Sequence, residues 1–273
     1  PGSRYVLPGA GVCATARGDR FLRNLLSLDG GQLSFYNYYS ASCAIHATNY
    51  IFGTWMCGSA PEDLRNAKLI FLWGHNPAEN QFGPQLNSIL MEVKARGTRI
   101  VAFDPRKSDS VLAYANEWVP LLPSTDGALI DAMCYVIWSE GLQDQDFMDR
   151  FCLGFDEAHM PAGAPEKECY RAYLFGEADG VVKDAAWGES VTGVPKETIA
   201  RLAREFAAAK PACLLTGFGP QRTLNGEQTY RGFAALASIT GNVGKPGGSS
   251  GCGCIRDAHG APYFAGKTDP HGV

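Results

Sequence analysis

The chain has 273 residues, of which 45% are hydrophobic and 19% charged, and it carries a net charge of −4. That length and balance describe a globular protein able to bury a sizeable core, and they exclude an intrinsically disordered chain. The mildly acidic charge leaves no basic footprint for nucleic acid or an anionic membrane, no run of about 18 apolar residues reads as a membrane span, and the opening PGSRYVLPGAG lacks the apolar core of a signal peptide.

A bound anionic cofactor stays open, because backbone amides and a few arginines hold an anion locally whatever the net charge. The nine cysteines, at 13, 43, 57, 134, 152, 169, 213, 252 and 254, are irregularly spaced. Cys252 and Cys254 form GCGC rather than the CxxC of a zinc or redox site, and are expected as free thiols in a loop. Cys134 and Cys213 lie in apolar runs and are expected in the core.

In chain order, the first conspicuous segment is SFYNYYSASCAIHATNY (34–50), uncharged and rich in tyrosine and serine. Read alone it is an aromatic helix start with Ser40 as a cap, and His46 is expected as a satisfied core histidine. Next comes LIFLW (69–73), a short apolar run ending at Gly74, which suits a buried parallel strand. GPQLNSILMEVKARG repeats apolar residues at helical spacing and stops at Gly97. RIVAF (99–103) is a second buried strand, parallel to the first through a right-handed crossover. EWVPLL is a third, shorter strand, placed at an edge by Pro120.

DGALIDAMCYVIWSEG then reads as a buried helix capped by Asp126. The region 141–190 is less regular, with YRAYLFGE expected as a strand. VPKETIARLAREFAAAKP is an amphipathic helix with Pro195 in its first turn. ACLLT (212–216) is another buried strand, and YRGFAALASITGNVG a further helix running into a glycine-rich tail. Alternating strands and helices imply an α/β fold with a mainly parallel, Rossmann-like sheet, whose ligands bind at the carboxyl ends of the strands.

Four strand tips carry candidate binding residues. In LIFLW-GHNPAEN, Gly74 permits close backbone approach, Pro77 opens the next helix toward a phosphate, and His75, Asn76 and Glu79 add hydrogen bonds. The same residues serve equally as a plain strand–helix turn. In RIVAF-DPR, Asp104 sits where ribose hydroxyls are held and Arg106 can stack or pair, or the two are a cap and a surface charge. LLPSTD by itself is a helix cap. CLLT-GFGPQR offers a glycine-flanked loop of the kind that hugs a flat polar ligand. Neither a GxGxxG fingerprint nor a Walker loop is present, so neither an ordinary dinucleotide fold nor an ATPase is indicated.

Taken together, GHNPAEN, DPR, LLPSTDGAL, GFGPQR and TGNVGKPGG, in this order, resemble the middle of the molybdopterin oxidoreductase (dimethyl sulfoxide reductase) family over about residues 8–250. The branch of the respiratory catalytic subunits is most similar, through EWVPLLPSTDGALIDAMCYVI, FCLGFDEAHMPAGAP and YRAYLFGEADG. The resemblance implies the central formate dehydrogenase/dimethyl sulfoxide reductase-type α/β domains: an insert at 65–209, with 1–64 and 210–273 as parts of its host. It implies a central fragment, with the [4Fe–4S] cluster of the family in a preceding segment and not in this chain.

The cofactor so implied is molybdenum bis-molybdopterin guanine dinucleotide. Gly74, His75, Asn76 and Glu79 would lie near its phosphates, Asp104 and Arg106 near a guanosine, Asp126 on a guanine ring, Gly219, Gln221 and Arg222 near a pterin, and Asn242 in a further contact loop. YYSAS matches the family's serine metal ligand at Ser40, with Tyr39 directing hydrogen bonds at the substrate. SASC departs from the pattern there, which keeps Cys43 as an alternative ligand.

The chemistry implied is removal of oxygen from S-oxides or N-oxides in anaerobic respiration. The alternatives are another substrate on the same scaffold (selenate, an arsenic oxyanion, an aromatic hydroxyl) or a cofactor-free binding domain. The resemblance further implies an Fe–S electron-transfer subunit, a membrane anchor subunit and an extracytoplasmic location.

Overall fold

The computed structural model describes residues 2–7, 18–33, 41–54, 57–80 and 84–252. Helices α1 (Gly18–Leu28) and α2 (Ser42–Phe52) come first, and a 3-10 turn over Pro61–Asn66 leads into strand β1 (Leu69–Trp73). Then follow α3 (Pro84–Ala95), β2 (Arg99–Phe103), α4 (Asp109–Tyr114), β3 (Glu117–Val119) and α5 (Asp126–Ser139). Short helices α6 (Gln145–Phe151), α7 (Tyr170–Leu174) and α8 (Ala185–Thr192) precede α9 (Lys196–Ala208), strand β4 (Ala212–Thr216) and α10 (Gly226–Ile239).

The strands form one sheet in the order β3-β2-β1-β4, every neighbouring pair parallel. Side chains alternate across it with the period of two that a strand imposes. Leu69, Phe71, Trp73, Val101, Phe103 and Leu214 enter one core with α5, α9 and α10. Ile70, Leu72, Ile100, Ala102, Cys213 and Leu215 enter the other with α3 and α4. Both faces are covered, which is why the strands are continuous apolar runs. Strand β3 lies at the edge, as Pro120 implied. Cys134 and Cys213 are core residues, and the described cysteines are free thiols, Cys252 among them although it is fully buried.

Several expectations change. YRAYLFGE opens as a helix, α7, because the Cys169 sulfur caps it by accepting from Ala172 N at 3.3 Å. Asp126 is the first residue of α5 rather than its cap, which is Thr125. Pro195 stands just before α9 as its cap residue. His46 is exposed on α2, edge-on to Tyr50. Across the boundary expected at 209/210, β4 pairs with β1 along its whole length.

Candidate functional site

The chain lays down β1, β2 and β3 side by side, then returns across the sheet to place β4 on the far side of β1. The reversal lies between the carboxyl ends of β1 and β4, where the crevice that takes the ligand usually sits in such sheets. The two expected tips, GHNPAEN and GFGPQR, meet there. Gly217 N donates to Trp73 O at 2.9 Å, carrying the ladder one step past the strands.

The approach is close enough to demand glycine. A Cβ on Gly217 would stand 2.2 Å from the Gly74 carbonyl oxygen and 2.5 Å from His75 Cα. On Gly74, which has φ +52°, it would collide with the Pro220 ring at 2.4 Å, and on Gly219 it would reach the Gly74 oxygen at 3.0 Å. The Tyr230 hydroxyl secures the crossing by donating to Gly217 O.

His75 follows directly. Its ring Nε2 is buried and has no hydrogen-bond partner among the described residues. Burial lowers its pKa to about 4, so the imidazole is neutral at physiological pH. A buried ring nitrogen without a partner costs free energy unless a ligand supplies one.

The other residues of that tip are partly committed. Asn76 Oδ1 accepts from the Ser110 hydroxyl (2.7 Å) and the Ser110 amide (3.2 Å), and Ala78 N donates to Ser110 Oγ at 2.9 Å. This ties the loop to α4. Asn76 O also accepts from the amides of Glu79 and Asn80. The loop is thus a closed turn, and the helix expected to open at Pro77 is instead a turn followed by α3 from Pro84. Glu79 pairs at 3.2 Å with Arg106, both exposed at the lip.

At the β2 tip, Asp104 bonds inward through both oxygens: Oδ1 accepts from Arg106 N (2.9 Å) and Oδ2 from Ser108 Oγ (3.1 Å). Asp126, only 8% exposed, accepts from the Trp73 indole Nε1 at 2.8 Å. Burial raises its pKa, the indole hydrogen bond opposes that, and the charge of Asp104 adds to it. The carboxyl edge of β1–β3 therefore presents a neutral imidazole, an arginine–glutamate pair and two carboxylates.

Gln221 is buried at 3% exposure, and its side-chain oxygen accepts from Ala44 N at 2.9 Å. Ala44 lies in the first turn of α2, where backbone amides have no helical acceptor. One carboxamide thus pins the start of α2 to the β4 tip. Arg222 is exposed beside it. Cys43, also in that turn, is partly buried, and burial together with nearby Glu227 holds its thiol protonated. Ser40 and Tyr39 lie outside the described residues.

Asn242 is not at this edge. Its Oδ1 accepts from Ala212 N (2.9 Å) and its Nδ2 donates to Thr240 Oγ1 (2.8 Å). Ala212 begins β4, so Asn242 sits at the amino end of the strand, about 13 Å from the crevice by strand rise. The tail beyond it flanks β4, where Ser249 Oγ both accepts from Leu214 N (3.0 Å) and donates to Leu214 O (3.1 Å). Trp73 and Ser110 were not anticipated; as letters they read as strand and helix, and only their partners reveal them.

A parallel sheet covered by helices on both faces, with its strand order reversing between β1 and β4, defines a doubly wound α/β protein. The family follows from comparison: a model of the molybdopterin oxidoreductase family matches residues 10–267, and the chain belongs to that family. It is 40% identical over 237 residues to dimethyl sulfoxide reductase DmsA of Escherichia coli (strain K12), covering 86% of this chain and 29% of that protein. It is 31% identical over 255 residues to dimethyl sulfoxide/trimethylamine N-oxide reductase of Rhodobacter capsulatus, covering 90% of this chain and again 29% of the relative. Among solved structures, acetylene hydratase from Pelobacter acetylenicus superposes with a TM-score of 0.55 at 20% identity over 81% of this chain and 27% of that one, which shows the shared fold. The chain therefore spans less than a third of the relatives it matches. Membership of the family implies molybdenum held by molybdopterin.

Proposed function

We propose that this chain is the central cofactor-binding part of a bis-molybdopterin guanine dinucleotide reductase that removes oxygen from S-oxides or N-oxides. The observation that carries the reading is the β1/β4 crevice. There the two glycine tips pack backbone to backbone, and beside them His75 carries a buried ring nitrogen with no hydrogen-bond partner among the described residues. Those features fit a long polar cofactor lying against backbone. Gly74, His75 and Gly219 would line its phosphate and pterin stretch, and Asp126, with Asp104 nearby, would face a guanine at the β2–β3 end.

The bound metal would supply the two-electron oxygen-atom chemistry. This chain's residues would hold and orient the cofactor, and the crevice would exclude water from it. Gln221 fixes the start of α2 beside the β4 tip, and Ser40, two residues before that helix in sequence, is the oxygen ligand of this reading, with Tyr39 next to it in the chain. Cys43, in the first turn of α2, is the alternative ligand.

The expected insert and host suit the full-length protein, with β4 counted in the insert because it pairs with β1. No helix among the described residues is long and apolar enough to cross a membrane. An Fe–S electron-transfer subunit, a membrane anchor subunit and an extracytoplasmic location complete the proposal.

The test is metal and nucleotide analysis of the full-length protein made with molybdate. Molybdenum and guanine nucleotide are expected together, and a preparation lacking both molybdenum and tungsten refutes the reading. Ser40→Ala in that protein is expected to abolish oxide reduction with the cofactor still bound; retained turnover moves the ligand role elsewhere.

A further inference from the structure

We propose that Trp73 is a positioning residue that sets the orientation of the Asp126 carboxylate and thereby selects guanine at this site. The proposal rests on the guanine dinucleotide reading above. Trp73 is the last residue of β1 and is wholly buried. Its indole lies flat on Phe103, the last residue of β2, with ring centroids 4.0 Å apart and planes 10° from parallel, and meets Phe233 of α10 edge-on at 5.2 Å. Two aromatic neighbours on different elements leave the indole a single orientation. In that orientation its one donor, Nε1–H, reaches Asp126 Oδ1 at 2.8 Å. Trp73 is the one side chain that bonds this carboxylate among the described residues.

Selectivity depends on that hold. Guanine presents its N1–H and exocyclic N2–H side by side, and an ionised carboxylate offers two acceptor oxygens to match them. Adenine turns an acceptor toward the same place, which a carboxylate repels. The match requires the carboxylate plane to face the ligand before it arrives, since a freely turning group must be ordered on binding. Asp126 lies at the first position of α5, where neighbouring backbone would otherwise leave it a choice of rotamers. The indole N–H removes that choice and also favours the charged form that accepts from guanine.

The experiment is calorimetric titration of the full-length protein, made without its cofactor, with GDP and with ADP, comparing the unaltered protein, Trp73→Phe, Asp126→Ala and a protein carrying 3-benzothienylalanine at position 73. The last keeps the two-ring shape and removes only the N–H, so it decides the matter if Trp73→Phe does not fold. The unaltered chain is expected to prefer GDP. Both changes at position 73 are expected to weaken GDP binding by about tenfold while ADP binding is unchanged, the size of one charge-assisted hydrogen bond. A general loss of packing would weaken both nucleotides alike, and that result overturns the proposal. Retention of the GDP preference in both position-73 proteins, with its loss in Asp126→Ala, overturns the role of Trp73 and leaves the guanine reading standing. No GDP preference in the unaltered chain refutes the guanine reading itself.

Discussion

Gly217→Ala probes the crossing of the two strand tips most directly. The added methyl would stand 2.2 Å from the Gly74 carbonyl oxygen, 2.5 Å from His75 Cα and 2.7 Å from His75 Cβ. Two of these three are backbone atoms, so no side-chain rotation relieves the clash. Bringing the nearest contact from 2.2 Å to about 3.0 Å means parting β1 and β4 by about 0.8 Å at their carboxyl ends. Overpacking against unyielding structure costs roughly 2–3 kcal/mol. Lower freedom of the unfolded chain offsets about 0.4–1 kcal/mol.

The net loss is about 2 kcal/mol, which lowers Tm by about 4–8 °C for a chain of this size. Gly18→Ala is the control, because nothing lies within 4 Å of its added methyl. The assay is thermal unfolding followed by circular dichroism, with molybdenum content measured on the full-length variant. Cofactor content should fall too, since the same shift moves His75. A Tm for Gly217→Ala within about 1 °C of the parent would refute the close crossing.

Asn242→Ala distinguishes a structural amide from a cofactor contact. It strips the acceptor from Ala212 N and the donor from Thr240 Oγ1, both buried, and is expected to cost about 2 kcal/mol in urea unfolding. Molybdenum content should be normal in the folded fraction; selective loss of cofactor without loss of stability would contradict the placement. Asp131 makes a pH prediction. Burial pushes its carboxyl up to about 6, against donors on Tyr170 (2.7 Å) and Tyr173 (3.4 Å). A folded pKa above the unfolded value means the folded state holds the proton more tightly. Its stabilising contribution is therefore present at about pH 4 and lost as pH rises through 6. Asp131→Asn removes that dependence, so relative to the parent the variant should gain up to about 3 kcal/mol between pH 4 and pH 7. A stability difference that does not change with pH would show that Asp131 is not so shifted.

Much of the fold is legible in local pattern. LIFLW, RIVAF and ACLLT are continuous apolar runs of strand length, and a strand covered on both faces has no other composition to show. The helix between the first two follows from apolar residues at helical spacing. YRAYLFGE misled because five residues are too few for either period to declare itself, and a cysteine cap is an uncommon signal. The opening at Pro77 misled because the Asn76 and Ser110 side chains, far apart in sequence, close the loop into a turn.

The candidate site divides in the same way. Its residues could be listed from GHNPAEN, DPR, LLPSTD and GFGPQR, because glycine, proline and short polar residues at strand ends are local facts. Which of them share a crevice was decided only by strand order. The return of β4 to the far side of β1 joins Gly74, His75 and Gly219, while the same strand carries Asn242 to the opposite edge. The tertiary structure likewise made Trp73 the partner of Asp126 and gave the Gln221 side-chain oxygen to the start of α2. The physical reason is common to all of these. A side chain's type is written at its position in the chain, but its hydrogen-bond partner, and hence its role, depends on which distant backbone the packing of two cores brings within 3 Å.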